Sequence, residues 1–257
     1  MHATLRMSTA QTVPSRAPSI VVVKIGGSVF TTHAAYRRVA AALGRRLHEE
    51  PGTRIVVVVS AEEGTTDALL AIARDLSESP DPAALDLLWS TGELRSTALL
   101  TLALHAAGVE AAAANVHQAG IIASGEGHRV RPLRLRALAA DHDVVVTPGF
   151  LARSAGDSVV SLGRGGSDLA AVLLAAALGA LRCELVKDVA GYFSADPNRE
   201  PCARHLPALS YEQAIAMADA GCEVVQRHAL VAARDAGLCL TMRALDDPRR
   251  TRITPHP

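Results

Sequence analysis

Two rhythms of apolar residues alternate along the chain. Short unbroken runs such as Ile20-Val21-Val22-Val23, Ile55-Val56-Val57-Val58-Val59 and Val144-Val145-Val146 are rich in β-branched side chains. Runs of this kind fill strands that are covered on both faces. Between them the apolar positions spread to helical spacing, as at Val39, Leu43 and Leu47. The pattern predicts strands over 20–25, 54–59, 111–116, 143–150, 158–162, 183–187 and 238–243. It predicts helices over 34–50, from a cap at Thr66 or Asp67 onward, over 85–108 with a break near Ser90-Thr91-Gly92-Glu93, up to Leu178 after the glycines at 163–166, and over 211–220 and 223–236. Residues 118–136 read as loops and short strands forming a flap or side wall, and the tail from Asp246 reads as the end of the domain. Such alternation implies a mainly parallel sheet with helices on both faces, an α/β fold in three layers.

The chemistry suggested by the pattern sits where strands end. The first strand runs into Lys24-Ile25-Gly26-Gly27-Ser28. Glycines at a strand's C-terminal end let backbone N–H groups turn toward an anion, and open α/β sheets bind ligands at that edge. By itself the segment reads equally well as an ordinary Gly-Gly turn beside a surface lysine. A second strand end, Gly163-Arg164-Gly165-Gly166-Ser167-Asp168, leads straight into a helix. Free N–H groups at a helix N-terminus, with the guanidinium of Arg164, make an anion cradle. Ser167 reads as the helix cap, and Asp168 as a first-turn acid or a site residue. Neither segment is a Walker loop, which requires a longer glycine-spaced run ending in Gly-Lys-Ser/Thr.

Composition narrows the function classes. Lys+Arg and Asp+Glu are both 26 in 257 residues, so no basic excess argues for a nucleic-acid or membrane surface. Phe, Trp and Tyr are only 3% of the chain, too few for a base-stacking platform. Cys183, Cys202, Cys222 and Cys239 lack C-x-x-C spacing, against a zinc site or disulfide framework. Residues 1–19 are Ser-, Thr-, Arg- and Pro-rich without a secretory-type apolar centre. They read as a flexible arm ahead of a single domain over 20–257, with a cytoplasmic location by default.

The ordered motifs resemble the amino acid kinase family, and within it the catalytic domain of aspartate kinases. The resemblance rests on Lys24-Ile25-Gly26-Gly27-Ser28, on Ser60-Ala61 through Gly64-x-Thr66-Asp67, on Gly92-Glu93, on Gln118-Ala119-Gly120-Ile121, on Leu162 through Asp168, and on Asp188-Val189-x-Gly191 with Ala195-Asp196-Pro197. It implies ATP-dependent phosphorylation of the side-chain carboxylate of aspartate or a close acidic analogue, with Mg²⁺ as cofactor and a homodimer as the assembly. By resemblance Lys24 contacts the transferred phosphoryl group and Asp168 orients the cations. Arg164 takes the substrate carboxylate, Glu93 its ammonium and Thr66 a further hydrogen bond, beside the Gly165-Gly166-Ser167 turn. Gly26, Gly27, Ser28, Lys187, Asp188, Phe193, Asn198 and Glu223 fall on the nucleotide side.

Departures from the family pattern concentrate on that nucleotide side. Lys187-Asp188 replaces the usual Thr-Asp, Tyr192-Phe193 replaces Val/Ile-Tyr, and Asn198 stands where an arginine is common. The segment Gly221-Cys222-Glu223-Val224-Val225-Gln226-Arg227 places Glu223 where the family has a lysine for the nucleotide phosphates. Lys187 or Arg227 supplies that cation instead, or Glu223 points away, or nucleotide handling is altered. The resemblance also leaves room for a catalytically weak amino-acid- or nucleotide-binding relative. The sequence stops where aspartate kinases continue into ligand-sensing domains, so feedback control on this chain alone is not expected.

Overall fold

The computed structural model describes residues 19–124 and 127–255; the N-terminal arm read from the sequence falls almost wholly outside them. In chain order the elements are β1 (Ser19–Ile25), α1 (His33–Glu49), β2 (Thr53–Val59), α2 (Thr65–Leu76), α3 (Pro82–Ala106), β3 (Ala111–Ala113), α4 (Val116–Ala119), β4 (Ile121–Ser124), β5 (Gly127–Val130), α5 (Leu133–Asp141), β6 (Val144–Pro148), β7 (Leu151–Arg153) and β8 (Val159–Ser161). There follow α6 (Gly166–Leu178), β9 (Arg182–Lys187), β10 (Tyr192–Phe193), β11 (His205–Leu206), β12 (Ala208–Ser210), α7 (Tyr211–Asp219), α8 (Arg227–Asp235), β13 (Leu240–Ala244) and β14 (Arg250–Thr254).

Among the described residues the main sheet has eight strands in the order β12-β14-β13-β9-β1-β2-β6-β3. From β13 to β3 every neighbouring pair is parallel, while β14 runs antiparallel to β13. The β-branched runs occupy the centre, where both faces are dry. Val21, Val23, Ile25, Ile55, Val57 and Val59 pack on the side of α1 and α3. Val22, Val56, Val58, Cys183 and Leu185 pack on the opposite side, with α6 and α8. This period-two alternation decides where the polar residues go. Lys24 and Lys187 share the parity of Val22 and Leu185 and face α6; Glu184 faces the α1 side.

A smaller sheet, β5-β4-β7-β8, delivers the chain into the glycine turn before α6. The segment expected to form a flap folds into α4, β4, β5 and the start of α5, and its described residues line neither of the cavities at the strand ends.

Several expectations need correction; the last helix, for one, spans Arg227–Asp235 and leaves Glu223 in the loop before it. Helix α3 is continuous through Ser90–Glu93, because Gly92 interrupts nothing; it makes room. A Cβ there would lie 2.9 Å from Thr65 Cγ2 and 3.1 Å from Ala61 Cβ. Helix α2 begins after Gly64, which takes a left-handed φ of 76°, with no cap from Thr66 or Asp67. Helix α6 likewise starts from Gly165 (φ 73°), not from a Ser167 cap. The chain also does not stop at β13. In Arg250-Thr251-Arg252-Ile253, Thr251 and Ile253 are buried and the arginines exposed, so the charged tail is an alternating strand.

Candidate active site

The C-terminal ends of β1, β2 and β9 and the N-terminus of α6 meet at one edge of the main sheet. Lys24 is the penultimate residue of β1 and Lys187 the last of the adjacent parallel β9, both side chains pointing toward α6. Asp168, in the first turn of that helix, is 2% exposed and lies between them. Lys24 Nζ is 3.0 Å from Oδ1 and Lys187 Nζ is 2.8 Å from Oδ2. Burial alone would raise the carboxyl's pKa, but the two ammonium groups outweigh it and hold Asp168 down at about 2. Burial lowers the pKa of Lys187, with Asp168 pulling the other way. Lys187 also donates to the carbonyl oxygen of Val224.

This triad forms part of the wall between two cavities. The larger, of about 710 Å³, is lined by Lys24, Gly26, Gly27 and Ser28, by Lys187 and Asp188, by the loop from Phe193 to Asn198, and by the segment from Gly221 to Val224. The smaller, of about 290 Å³, is lined by Lys24, Ser60, Thr66, Glu93, Phe150, Gly165, Gly166, Ser167, Asp168, Lys187, Glu223 and Gln226. Lys24, Lys187 and Glu223 border both.

The two glycine turns work differently. Gly163 and Gly165 take left-handed φ values of 75° and 73°, which side-chain-bearing residues adopt at a cost. Gly26 has an ordinary φ of −68°, and Gly27 is not among the positive-φ glycines. Gly27 is needed for proximity instead: a Cβ would lie 2.3 Å from the carbonyl oxygen of Ala61. That contact brings the turn after β1 against the loop after β2. Ser28 Oγ donates to Asp188 Oδ1 at 3.1 Å, joining the same turn to β9.

Glu93 is mid-helix, 3% exposed, and reaches the smaller cavity from α3. Burial raises its pKa to about 8, against the backbone of Ala61, the charge of Lys24 and the backbone of Gly149, all favouring the ionised form. Among the described residues, its buried Oε2 has no hydrogen-bond partner. A carboxyl in this state awaits a cation or a donor.

The chain matches the model of the amino acid kinase family over residues 19–242. It belongs to that family. It is 37% identical over 231 residues to an aspartokinase of Thermus thermophilus, covering 88% of this chain and 56% of that protein, and 39% identical over 232 residues to one of Mycolicibacterium smegmatis, covering 88% and 55%. The chain thus spans about half the length of these relatives. Among solved structures it superposes on the aspartate kinase of Synechocystis with a TM-score of 0.83 at 33% identity, covering 93% of this chain and 40% of that one. Escherichia coli aspartokinase III, crystallised with aspartate and ADP, gives 0.76 at 25% identity, covering 91% and 65%.

The residues picked out by the amino acid kinase motifs divide between the two cavities, with one exception. Lys24, Thr66, Glu93, Gly165, Gly166, Ser167 and Asp168 surround the smaller cavity, and Gly26, Gly27, Ser28, Lys187, Asp188, Phe193, Asn198 and Glu223 the larger. Arg164 is exposed on the turn that borders the smaller cavity and is not among its lining residues. Arg227, one candidate for the missing phosphate cation, pairs with Asp219 at 2.8 Å on the surface and lines neither cavity. Lys187, the other, borders both. Sequence reasoning passed over Phe150 and Gln226 in the smaller cavity, and Met217 and Ala220 at the end of α7 in the larger. Phe150 carried a signal, being one of three phenylalanines and following Pro148-Gly149. Met217 and Ala220 carried none.

No helix of the described residues is long and apolar enough to cross a membrane.

Proposed function

We propose that the protein is an ATP-dependent kinase that phosphorylates the side-chain carboxylate of aspartate. The observation carrying this reading is Asp168 clamped by Lys24 and Lys187 in the wall between a cavity of about 710 Å³ and one of about 290 Å³. The larger is sized for a nucleotide and the smaller for an amino acid. Similarity to aspartokinases supports the same assignment, one of them having been crystallised with aspartate and ADP.

In this reading a carboxylate oxygen of aspartate attacks the terminal phosphorus of ATP, the bond to the bridging oxygen breaks, and ADP leaves with that electron pair. The product is an acyl phosphate. The attacking carboxylate is ionised at neutral pH, so the protein supplies no general base. Its task is to bring two anions together and to offset charge on the phosphoryl oxygens. Lys24 contacts the phosphoryl group, and Asp168 holds Lys24 and Lys187 in place. The Gly26-Gly27-Ser28 turn and Lys187 meet the phosphates, with Asp188, Phe193, Asn198 and Glu223 around the rest of the nucleotide. Glu93 receives the substrate ammonium, which provides the cation its buried Oε2 lacks. Arg164 closes over the substrate carboxylate from the mouth of the cavity, while Thr66 and the Gly165-Gly166-Ser167 turn offer hydrogen bonds.

Mg²⁺ would offset phosphate charge. Among the described residues no group of three or more His, Cys, Asp or Glu side chains is arranged to hold a metal ion. An ion of this kind is carried in on the phosphates and met by one or two carboxylates, and Asp188 borders the larger cavity.

The test is hydroxylamine trapping of the acyl phosphate, with ADP release followed in parallel. Aspartate with MgATP is expected to yield the hydroxamate. Absence of both products across a panel of acidic amino acids overturns the kinase reading in favour of a binding protein.

We propose further that the protein is a homodimer formed through α3. This helix buries Ser90, Glu93, Ser96, Thr97 and Thr101 beside Leu100 and Leu104, while Leu87, Leu94 and Leu102 on its other face are 60%, 39% and 63% exposed. The exposed stripe Leu87-Thr91-Leu94-Ala98-Leu102 reads nearly the same from either end. An antiparallel copy crossing near Leu94 would seat Leu87 on the partner's Leu102 and Thr91 on the partner's Ala98. Leu94→Glu and Leu94→Lys should each be monomeric in sedimentation and should dimerise when mixed. A wild-type monomer, or a mixture that stays monomeric, overturns this interface.

A further inference from the structure

The chain's one tryptophan, Trp89, lies outside the lining of the smaller cavity but holds two of its walls. It stands one turn before Glu93 on α3, so both side chains project from the same face of the helix. Its indole Nε1 donates to the carbonyl oxygen of Thr66 at 3.2 Å, tying α3 to the first turn of α2. Its ring meets that of Phe150 edge-on, with centroids 5.8 Å apart and planes at 75°. Thr66 and Phe150 both line the smaller cavity.

Phe150 is held in a conformation that a phenylalanine does not adopt unaided. Its φ is 59°, and the N–H of Leu151 donates to the carbonyl of Gly149 at 2.6 Å around it. A three-residue turn with a positive central φ is rare and strained. Strain of this sort persists only where neighbours over-determine it, and such residues cluster at ligand sites. The neighbours here are the backbone of Gly166, where a Cβ would lie 3.2 Å from Phe150 Cδ2, the N–H of Leu162, which donates to the Phe150 carbonyl at 2.7 Å, and the indole edge. Of the three, the indole alone acts on the ring from a side chain.

We infer that Trp89 is a positioning residue that fixes Phe150 and Thr66 and thereby sets the length of acidic amino acid that the smaller cavity accepts. This rests on reading that cavity as the amino-acid site. Without the indole, the Phe150 ring is free to turn and the Thr66 end of α2 loses one of its ties to α3. The cavity then loses its fixed depth, while the nucleotide side, which shares neither residue, is untouched.

Trp89 is also its own reporter, because all tryptophan emission comes from it. Titration with aspartate is expected to change that emission saturably, and titration with ADP alone to leave it unchanged. Trp89→Leu is expected to raise the KM for aspartate about tenfold, to leave the KM for ATP within twofold, and to narrow the preference for aspartate over glutamate. Trp89→Phe keeps an aromatic ring but lacks the N–H, and should fall between wild type and the leucine variant. A purely structural role would not shift the choice between the two amino acids. The inference is overturned if the emission ignores aspartate, or if a folded Trp89→Leu or Trp89→Phe protein keeps the wild-type KM and preference. Should the wild type phosphorylate neither amino acid, the kinase reading fails while the emission titration still decides whether Trp89 senses occupancy of this cavity.

Discussion

Strand β9 carries two ion clusters on opposite faces, and they are built from different cations. Toward α6, Lys187 and Lys24 hold Asp168. Toward α1, Glu184 is gripped by Arg46 through two hydrogen bonds of 2.8 and 2.6 Å, by Arg182 at 2.8 Å and by Arg243 at 3.3 Å. Both carboxyls are held at about 2 although burial opposes it. The guanidinium clamp is planar and two-pronged, and it fixes α1 to β9 and β13 in one geometry. An ammonium is a point charge on a flexible stem that can share itself between Asp168 and an incoming phosphate. The arginine cluster lies along the strand; the lysine cluster stands at its end beside both cavities. Similar electrostatics thus serve stability on one face and, in the proposed kinase, chemistry on the other.

That contrast can be broken from either side. Lys24→Ala should lower kcat by about 10³-fold in the hydroxamate assay while aspartate binding stays measurable by calorimetry; retention of most activity would remove Lys24 from the chemistry. Glu184→Ala leaves three arginines around an emptied position and should cost roughly 3 kcal/mol or more in urea unfolding, with both KM values unchanged in the folded protein. The pH signature follows from the depressed carboxyl: its contribution is complete above its ordinary value of 4.5 and is lost as pH falls toward about 2. Wild type should therefore lose stability over that interval more steeply than Glu184→Gln, and parallel acid transitions would contradict the cluster's structural role.

Glu93 sharpens the comparison because its shift has the opposite sign. Its raised pKa means that the unfolded chain ionises near 4.5 while the folded chain keeps its proton up to about 8, so stability falls as pH rises through that window. Glu93→Gln should remove the trend and raise the Tm at pH 8 by about 2 °C or more, while weakening aspartate binding. In wild type the KM for aspartate should improve as pH rises toward 8, since the ammonium needs the ionised carboxyl; a KM indifferent to pH over 6–8 would disconnect Glu93 from the substrate. The smallest effect is expected from Glu223→Lys. Reversing one exposed charge at the border of both cavities should tighten ATP by about threefold to tenfold, and no change would mean that Glu223 points away from the phosphates.

The sequence carried the architecture well where a single residue type decides it. Unbroken β-branched runs placed the central strands to within a residue or two, and strand-end glycines placed the edge where ligands would bind. It was less legible where the cause is a contact between distant segments. Gly92 reads as a helix break in one dimension, but its lack of a Cβ answers Thr65 and Ala61 across space. Thr251 and Ile253 are invisible as strand residues among arginines and prolines until β13 pairs with them. Ser167 has the right chemistry for a cap, yet the left-handed Gly165 starts the helix first. Lys187 looked like a departure from a motif; only the packing of α6 against β9 reveals that it shares Asp168 with Lys24.

Gly27 has a consequence for how such a site can diversify. One extra carbon at that position would have to push into the carbonyl oxygen of Ala61, only 2.3 Å away, and the loops after β1 and β2 would part. In the proposed kinase the phosphate donor and its acceptor would then be held on two banks drifting independently. Substitutions deeper in either cavity can retune what is bound, but the seam joining them tolerates no added atom.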